Sequence, residues 1–192
     1  MTVALIIAKG QSTRLKNKNW IDFGTRFPDG PKPMFQWNVE KCLTIFKKVY
    51  VSSDNEFILS RSVQIGASPI KRPIELCDDV ANVPVYLHAY KEMMVKPDII
   101  VAVQANSPTT KMWLIKEAKE LMEKRNYEEL ITCHPDYSIY GSIWAMTAFR
   151  LEHYEEICGD FHHHKPDALL VDPSIDIHDY KDLLKANLNR NL

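Results

Sequence analysis

Apolar and polar positions alternate along the chain in two rhythms. Short runs rich in β-branched residues, each bounded by polar loops, stand at 3–8, 48–52, 99–104, 130–133 and 142–146. Near-continuous apolar runs of this length predict buried parallel strands. Between them, segments 34–46, 55–65, 82–94 and 110–124 space their apolar side chains three and four positions apart, as Leu114, Ala118, Leu121 and Met122 do. That spacing predicts amphipathic helices. Alternating strands and helices predict an α/β fold: a Rossmann-like three-layer sandwich with a mostly parallel sheet, helices on both faces, and ligands bound beyond the carboxyl ends of the strands. No repeat, low-complexity tract or linker divides the chain, so residues 1–192 read as one domain. Residues 22–33, DFGTRFPDGPKP, read as a long mobile loop.

Composition narrows the function classes. With 45% hydrophobic and 26% charged residues the chain can bury a real core. Lys and Arg number 24 against 25 Asp and Glu, a formal net charge of -1. That balance speaks against a protein that coats nucleic acid or an anionic membrane, so any phosphate site must be a local concentration of cations. Cys42, Cys77, Cys133 and Cys158 are far apart with no C-x-x-C pair, which argues against a disulfide framework and a thiolate zinc site and for a reducing, cytoplasmic setting. The apolar run 3–8 is too short to span a bilayer and is followed by Lys9 rather than a cleavage site.

The first predicted strand runs directly into Lys9-Gly10-Gln11-Ser12-Thr13-Arg14-Leu15-Lys16-Asn17-Lys18-Asn19. Gly10 permits a tight turn, backbone N–H groups can point at phosphate oxygens, and Arg14 and Lys18 can neutralise charge that grows during phosphoryl or nucleotidyl transfer. A solvated basic loop would have the same composition; the position after strand one favours a polyphosphate site.

AKGQSTRLKNKN resembles the R-G-G-S-K-R-x-x-x-K-N signature of the acylneuraminate cytidylyltransferase family, which makes CMP-activated acidic sugars. Lys9 stands where that family has Arg, and Ser12, Arg14 and Lys18-Asn19 match. Gln11 and Thr13 depart from it, and Thr13 removes a phosphate-facing lysine. Further segments follow in the family's order. Lys32-Pro33-Met34 resembles G-K-P-L, Val51-Ser52-Ser53-Asp54 resembles V-S-T-D, and Arg72-Pro73-Ile74-Glu75-Leu76 resembles R-P-x-E-L. Gln104-Ala105-Asn106-Ser107-Pro108 resembles Q-P-T-S-P, and Ser174-Ile175-Asp176-Ile177-His178 resembles S-x-D-I-D.

The resemblance implies a nucleotide-diphospho-sugar transferase type of fold and an enzyme that joins CMP from CTP to an acceptor with release of pyrophosphate. It implies nucleotide binding by Ala8, Lys9, Gly10, Ser12, Thr13, Arg14, Lys18, Asn19, Arg72, Asn82 and Gln104. Catalytic roles fall to Arg14, Lys18, Gln104 and Asp176, and a Mg²⁺ ion to Asp176 and His178. His178 replaces the second aspartate of the family's D-x-D, and imidazole suits a softer ion such as Mn²⁺ better than Mg²⁺. The same histidine could instead act as a base on the acceptor, or Asp172 or Asp179 could supply the missing oxygen. Two other readings stand beside this one: a nucleotide-binding module without turnover, motivated by Thr13, His178 and Thr110, and a nucleotidyltransferase that uses another base.

Several residues have a plainer reading. Arg72 could be a surface cation, Gln104 could satisfy buried backbone, Asp176 could be a turn residue, and Asp54 and Asp79 suit helix N-caps, so Asp54 is left out of the site. Tyr137, Tyr140, Trp144 and Tyr154 read as core and rim. His162-His163-His164 reads as a solvated loop, because three consecutive histidines do not easily converge on one ion. The resembling family carries a sizeable insertion, its dimer arm and part of its sugar pocket, where this chain has only residues 134–139. The expectation is therefore no arm-exchanged dimer. It is also a small acidic acceptor, whether acidic sugar, phosphate or phosphonate, held by His134, Tyr137, Tyr140, Lys165 and the histidine run.

Overall fold

A computed structural model describes residues 1–192 except 26, 27, 29, 78–80, 159–164 and 189–192. Its order is β1 (Thr2–Ile7), β2 (Asp22–Phe23), β3 (Lys32–Pro33), α1 (Met34–Leu43), β4 (Val49–Ser53), α2 (Glu56–Gln64), β5 (Ser68–Lys71), α3 (Asn82–Glu92), β6 (Ile99–Gln104), α4 (Met112–Lys124), β7 (Glu129–Cys133), β8 (Ile139–Thr147), α5 (Ala148–Glu152), α6 (Tyr154–Cys158), β9 (Ala168–Val171) and α7 (Tyr180–Leu188). Short 3-10 turns cover Lys18–Trp20 and Ile74–Leu76. The seven-stranded sheet runs β5-β4-β1-β6-β8-β7-β9.

Strand alternation divides the core. One row of side chains, including Ala4, Ile6, Val101 and Val103, packs with Phe35 and Val39 of α1, Ile58 of α2 and Leu114, Ile115 and Ala118 of α4. The opposite row, including Val3, Leu5, Ile100 and Ala102, packs with Tyr86 and Ala89 of α3, Leu151 of α5 and Tyr154 of α6. These are the two outer layers of the predicted sandwich. Residues such as Leu5, Ile6 and Leu114 are essentially fully buried, so truncating one to alanine should cost about 2–5 kcal/mol. Trp144 and Tyr154 meet edge to face within the second cluster, while Tyr137 is exposed and the side chain of Tyr140 lies outside what is described.

β1 pairs in parallel with β4 and β6, and β4 with β5. The run 142–146, read as parallel, belongs to a strand antiparallel to both β6 and β7. Its direction follows from the connection. Residues 134–138 fold into a tight turn in which His134 N–H donates to Ser138 C=O (2.9 Å) and Tyr137 N–H to His134 C=O (2.8 Å). So short a link joins only antiparallel strands. The expected mobile loop 22–33 is closed at its base by β2 and β3, which pair antiparallel.

A third, smaller cluster positions the site. Phe23, Met34, Ile177, Leu183 and Ala186 are buried together, with Leu15, Ile21, Trp37 and Ile175 packed against them. It joins the loop after β1, the start of α1, the segment after β9 and α7. No helix among the described residues is long and apolar enough to cross a membrane.

Candidate functional site

The loop after β1 is fastened at several points. Gly10 N–H donates to Asp54 Oδ1 (2.8 Å), Asn19 Nδ2 to Lys9 C=O (2.8 Å), and Trp20 Nε1 to Gly10 C=O (3.1 Å). Asn17 takes a left-handed conformation, φ 60°, at the entry to the 3-10 turn. Gly10 is required by close approach: a Cβ there would stand 2.6 Å from the Cβ of Asn55. Asn55, not Asp54, caps α2, its side chain accepting from Ile58 N–H at 3.2 Å. Asp54 thus braces the loop, a role that its candidacy as a cap concealed. Asp79, the other cap candidate, lies outside the described residues.

Around this loop opens a cavity of about 530 Å³, within the size range of small-molecule sites. Lys9, Ser12, Thr13, Arg14, Lys18, Asn19, Arg72, Asn82, Gln104, Asn106 and His178 line it, with Ile7, Leu76 and Val85 as the apolar part. It lies beyond the carboxyl ends of β1, β5 and β6, as the parallel sheet predicts. Among the described residues no carboxylate lines it, while Lys9, Arg14, Lys18 and Arg72 do. Ala8 and Gly10 lie beneath the wall: Ala8 is fully buried and its N–H donates to Ser52 C=O (3.0 Å).

Two of the cations are partly stripped of water. Burial pushes the Lys18 ammonium below its usual pKa, and Arg14 and Lys9 press the same way, while Asp176 opposes them. Arg72 is only 4% exposed; its Nη2 donates to Ser52 C=O (2.6 Å) and its buried Nε meets no acceptor. Burial likewise lowers its pKa, with the nearby Asp54 partly offsetting the effect. A buried guanidinium held this way costs several kcal/mol unless something anionic meets it. Gln104 turns its amide to the Tyr86 hydroxyl (3.2 Å) at the cavity floor.

Asp176 stands just behind this wall. It lines a second cavity with His134, Asp172, Ser174, Asp182 and Lys185, and His178 lines both. One Asp176 oxygen accepts from Asn106 Nδ2, and the other lies 2.5 Å from His178 Nε2. Burial raises the Asp176 carboxyl above its usual pKa against the opposing pull of His178 and Lys18. Asp172 is fully buried and engaged by Ser142 Oγ and by the N–H and Oγ of Ser174. Asp179 Oδ1 accepts from the N–H groups of Lys181 and Asp182. Neither joins Asp176, and no cluster of three or more His, Cys, Asp or Glu side chains suited to a metal occurs among the described residues. One carboxylate with both oxygens occupied does not make a preformed magnesium site, which needs near-octahedral oxygen ligands.

The sequence reading did not single out Asn106, Asp182 or Lys41. Asn106 lies within a matched segment, and Asp182 accepts from the His178 N–H (2.9 Å) as a turn cap would. The histidine run 162–164 lies outside the described residues, and Lys165 is exposed.

Known proteins resemble the chain in sequence and in fold. A bifunctional pseudaminic acid cytidylyltransferase and UDP-2,4-diacetamido-2,4,6-trideoxy-beta-L-altropyranose hydrolase from Helicobacter pylori is 32% identical over 139 residues, 69% of this chain. A pseudaminic acid cytidylyltransferase from Campylobacter jejuni is 30% identical over 125 residues, 62% of the chain. These matches span 26% and 51% of the relatives' own lengths. The structure of CMP:2-keto-3-deoxy-manno-octonic acid synthetase complexed with CTP superposes with a TM-score of 0.75 at 14% identity, covering 97% of each chain, and shares the fold. The family model described as cytidylyltransferase matches residues 3–159, and the chain belongs to the cytidylyltransferase family.

Proposed function

We propose that this chain, acting as one nucleotidyltransferase domain, transfers CMP from CTP to a small hydroxylated acid and releases pyrophosphate. The observation that carries the reading is the cationic wall after β1, where Lys9, Arg14, Lys18 and buried Arg72 face a cavity that no described carboxylate enters. A triphosphate carries about four negative charges, and preorganised donors of this kind act most strongly where water is excluded. Ser12, Thr13 and the backbone of the loop add hydrogen-bond donors, and Asn19, Asn82 and Gln104 supply amides for the nucleoside.

The second cavity suits the acceptor, because His178 forms part of the wall between the two. An acceptor hydroxyl placed there attacks the α-phosphorus in line as its proton passes to solvent, the bond from the α-phosphorus to the oxygen bridging to the β-phosphate breaks so that pyrophosphate leaves with that oxygen, and positioning with charge neutralisation does most of the catalysis. Arg14 and Lys18 stabilise the departing pyrophosphate. A divalent cation, magnesium or manganese, would supply further charge neutralisation as the companion of the triphosphate, with Asp176 the carboxylate within reach. The unpaired cysteines Cys42, Cys77 and Cys133 suit a cytoplasmic setting, and the near-neutral charge gives no support to nucleic-acid or membrane partners.

The test is pyrophosphate release from each of the four common triphosphates in the presence of candidate acids. Acceptor-dependent release with CTP supports the proposal. Tight CTP binding without release would favour a nucleotide-binding module, and preference for another triphosphate would change the base.

A further inference from the structure

Lysine on an amphipathic helix normally points to water. Lys41 of α1 does not: its Nζ donates to Pro108 C=O (2.6 Å), Thr110 C=O (2.7 Å) and Asn38 Oδ1 (3.1 Å). Asn38, fully buried one turn earlier, donates its Nδ2 to Gln104 C=O (2.9 Å) and Ser107 C=O (2.8 Å). Two side chains of one helix thus hold four carbonyls of residues 104–110, from the end of β6 to the approach to α4. All three ammonium donors of Lys41 are used, which only the charged form can do.

That segment carries more than itself. Asn106 C=O accepts from Ile177 N–H (2.9 Å), Thr109 Oγ1 accepts from Ile175 N–H (3.0 Å), and Asn106 Nδ2 reaches the Asp176 carboxylate. Thr110 Oγ1 lies 3.4 Å from Ser174 Oγ. The stretch 174–178, which belongs to no strand or helix, is therefore suspended from the 104–110 segment. At the other end of that segment Gln104 faces the nucleotide cavity.

We propose that Lys41, with Asn38, is the positioning clamp of the reaction: it fixes residues 104–110 as the template that sets Asp176 and His178 in register with the nucleotide cavity. Neither residue touches that cavity, so both act through the residues they hold. Burial pushes the Lys41 ammonium down to about 8, against the attraction of Asp172 and with the repulsion of Lys111 and Lys32. The fold keeps a charge in a place that disfavours it, as a positional role requires. Misplacement of reacting groups by about 1 Å can cost on the order of a hundredfold in rate, so a loosened template should be visible in turnover.

The inference rests on the cytidyl-transfer reading, and the experiment separates the two. Lys41→Met keeps the unbranched apolar stem of the side chain, one atom shorter, and removes its three donors. Thr109→Val leaves the clamp intact and cuts the link to Ile175. For both variants and the wild type, amide hydrogen exchange is followed at residues 104–110 and 174–178, CTP affinity by calorimetry, and kcat and KM by pyrophosphate release. Expected for Lys41→Met are faster exchange at both stretches and kcat at least tenfold lower, with a rise in CTP Kd, through Gln104 and Asn106, smaller than the loss in kcat. Thr109→Val should speed exchange at 174–178 alone and lower kcat in the same way. Should Lys41→Met fail to fold, Lys41→Gln, which also loses the charge and reach of the ammonium, decides the question by the same exchange and kcat readouts. Wild-type exchange at 174–178 or wild-type kcat in the folded variants overturns the clamp. Absence of any turnover by the wild type overturns the transfer reading and the reaction role with it, whatever the exchange shows.

Discussion

His178 Nε2 lies 2.5 Å from Asp176 Oδ2, and the Asn106 amide takes the other oxygen of the same carboxylate. The pair closes on itself at the wall between two cavities. Asp176→Asn keeps the shape but loses the charge, and turnover should become undetectable while the thermal midpoint shifts by only a few degrees. His178→Asp exchanges a nitrogen ligand for oxygen ligands and should raise Mg²⁺-supported turnover relative to Mn²⁺. An unchanged metal preference in His178→Asp would place His178 away from the ion.

The Lys18 ammonium gives a pH dependence with a definite sign. Its pKa in the free protein is depressed, chiefly by burial and secondarily by Arg14 and Lys9. A bound triphosphate favours the charged form. Affinity is therefore complete below the depressed pKa and falls as pH rises through it, at lower pH than an ordinary lysine at 10.5 would give. Calorimetric CTP titrations between pH 7 and about 10.5 should show this loss, and Lys18→Arg should flatten it. Arg14→Ala and Lys18→Ala should each cost about 2–4 kcal/mol in the transition state. Wild-type turnover in both alanine variants would remove these residues from the site.

How much of this was legible in the sequence depended on which signal carried it. The apolar runs of β1, β4 and β6 and the four principal helices were plain, because burial on two faces or one stripe leaves a strong period. β5 and β9 were missed: both lie at sheet edges with alternate residues exposed, and Pro69 interrupts the first. The direction of β8 was not legible, since a period of apolar residues has no arrowhead; the 134–138 turn supplies it. The cations after β1 could be read because their position in the fold gave them meaning. Lys41 could not, because a lysine that holds four carbonyls with Asn38 looks in sequence like one that faces water.

Gly10 and Asp54 should separate loop placement from phosphate chemistry. A Cβ at position 10 would meet the Cβ of Asn55 at 2.6 Å, so Gly10→Ala must displace either the loop or the start of α2. A cost of about 1–3 kcal/mol is expected from such overpacking. Asp54→Ala removes the acceptor of the Gly10 N–H without adding bulk. It should lower stability by about 1–3 kcal/mol, as for a lost hydrogen bond to a charged group, and raise the CTP KM without abolishing turnover. Denaturant unfolding with kinetics on the same samples checks this. Unaltered CTP KM in both variants would show that the loop holds its shape without this brace.

The last prediction concerns the acceptor and turns on the connection between β7 and β8. The resembling family places an arm there that contributes to the sugar pocket. Here residues 134–138 form a tight turn, pinned by His134 and Ser138 backbone groups and by Asp136, whose Oδ1 accepts from the Ser138 N–H (3.0 Å) and Oγ (2.6 Å). Of the residues expected to hold the acceptor, His134 does line the second cavity, and α7 adds Lys185. Lys165 is exposed and Tyr137 is 70% exposed, so these two offer rim contacts at most. Asp172 and Asp176 in the same cavity are engaged by serines, Asn106 and His178. His134 and Lys185 are thus the groups best suited to an acceptor's acid function, while the tight turn leaves little wall for a long sugar chain. The expected substrate is a small hydroxylated acid, phosphate or phosphonate rather than a nine-carbon sialic acid. Pyrophosphate release should be followed with sialic acid, 3-deoxy-octulosonic acid and a series of small phosphates and phosphonates, in wild type and Lys185→Met. The small acids should be preferred, and Lys185→Met should raise the acceptor KM while leaving the CTP KM within about twofold, since a removed charge-assisted contact is worth roughly 1.5–3 kcal/mol at its own ligand alone. Efficient turnover of sialic acid alone would show that the tight turn does not limit the acceptor, and an unchanged acceptor KM in Lys185→Met would move the acid-binding group elsewhere.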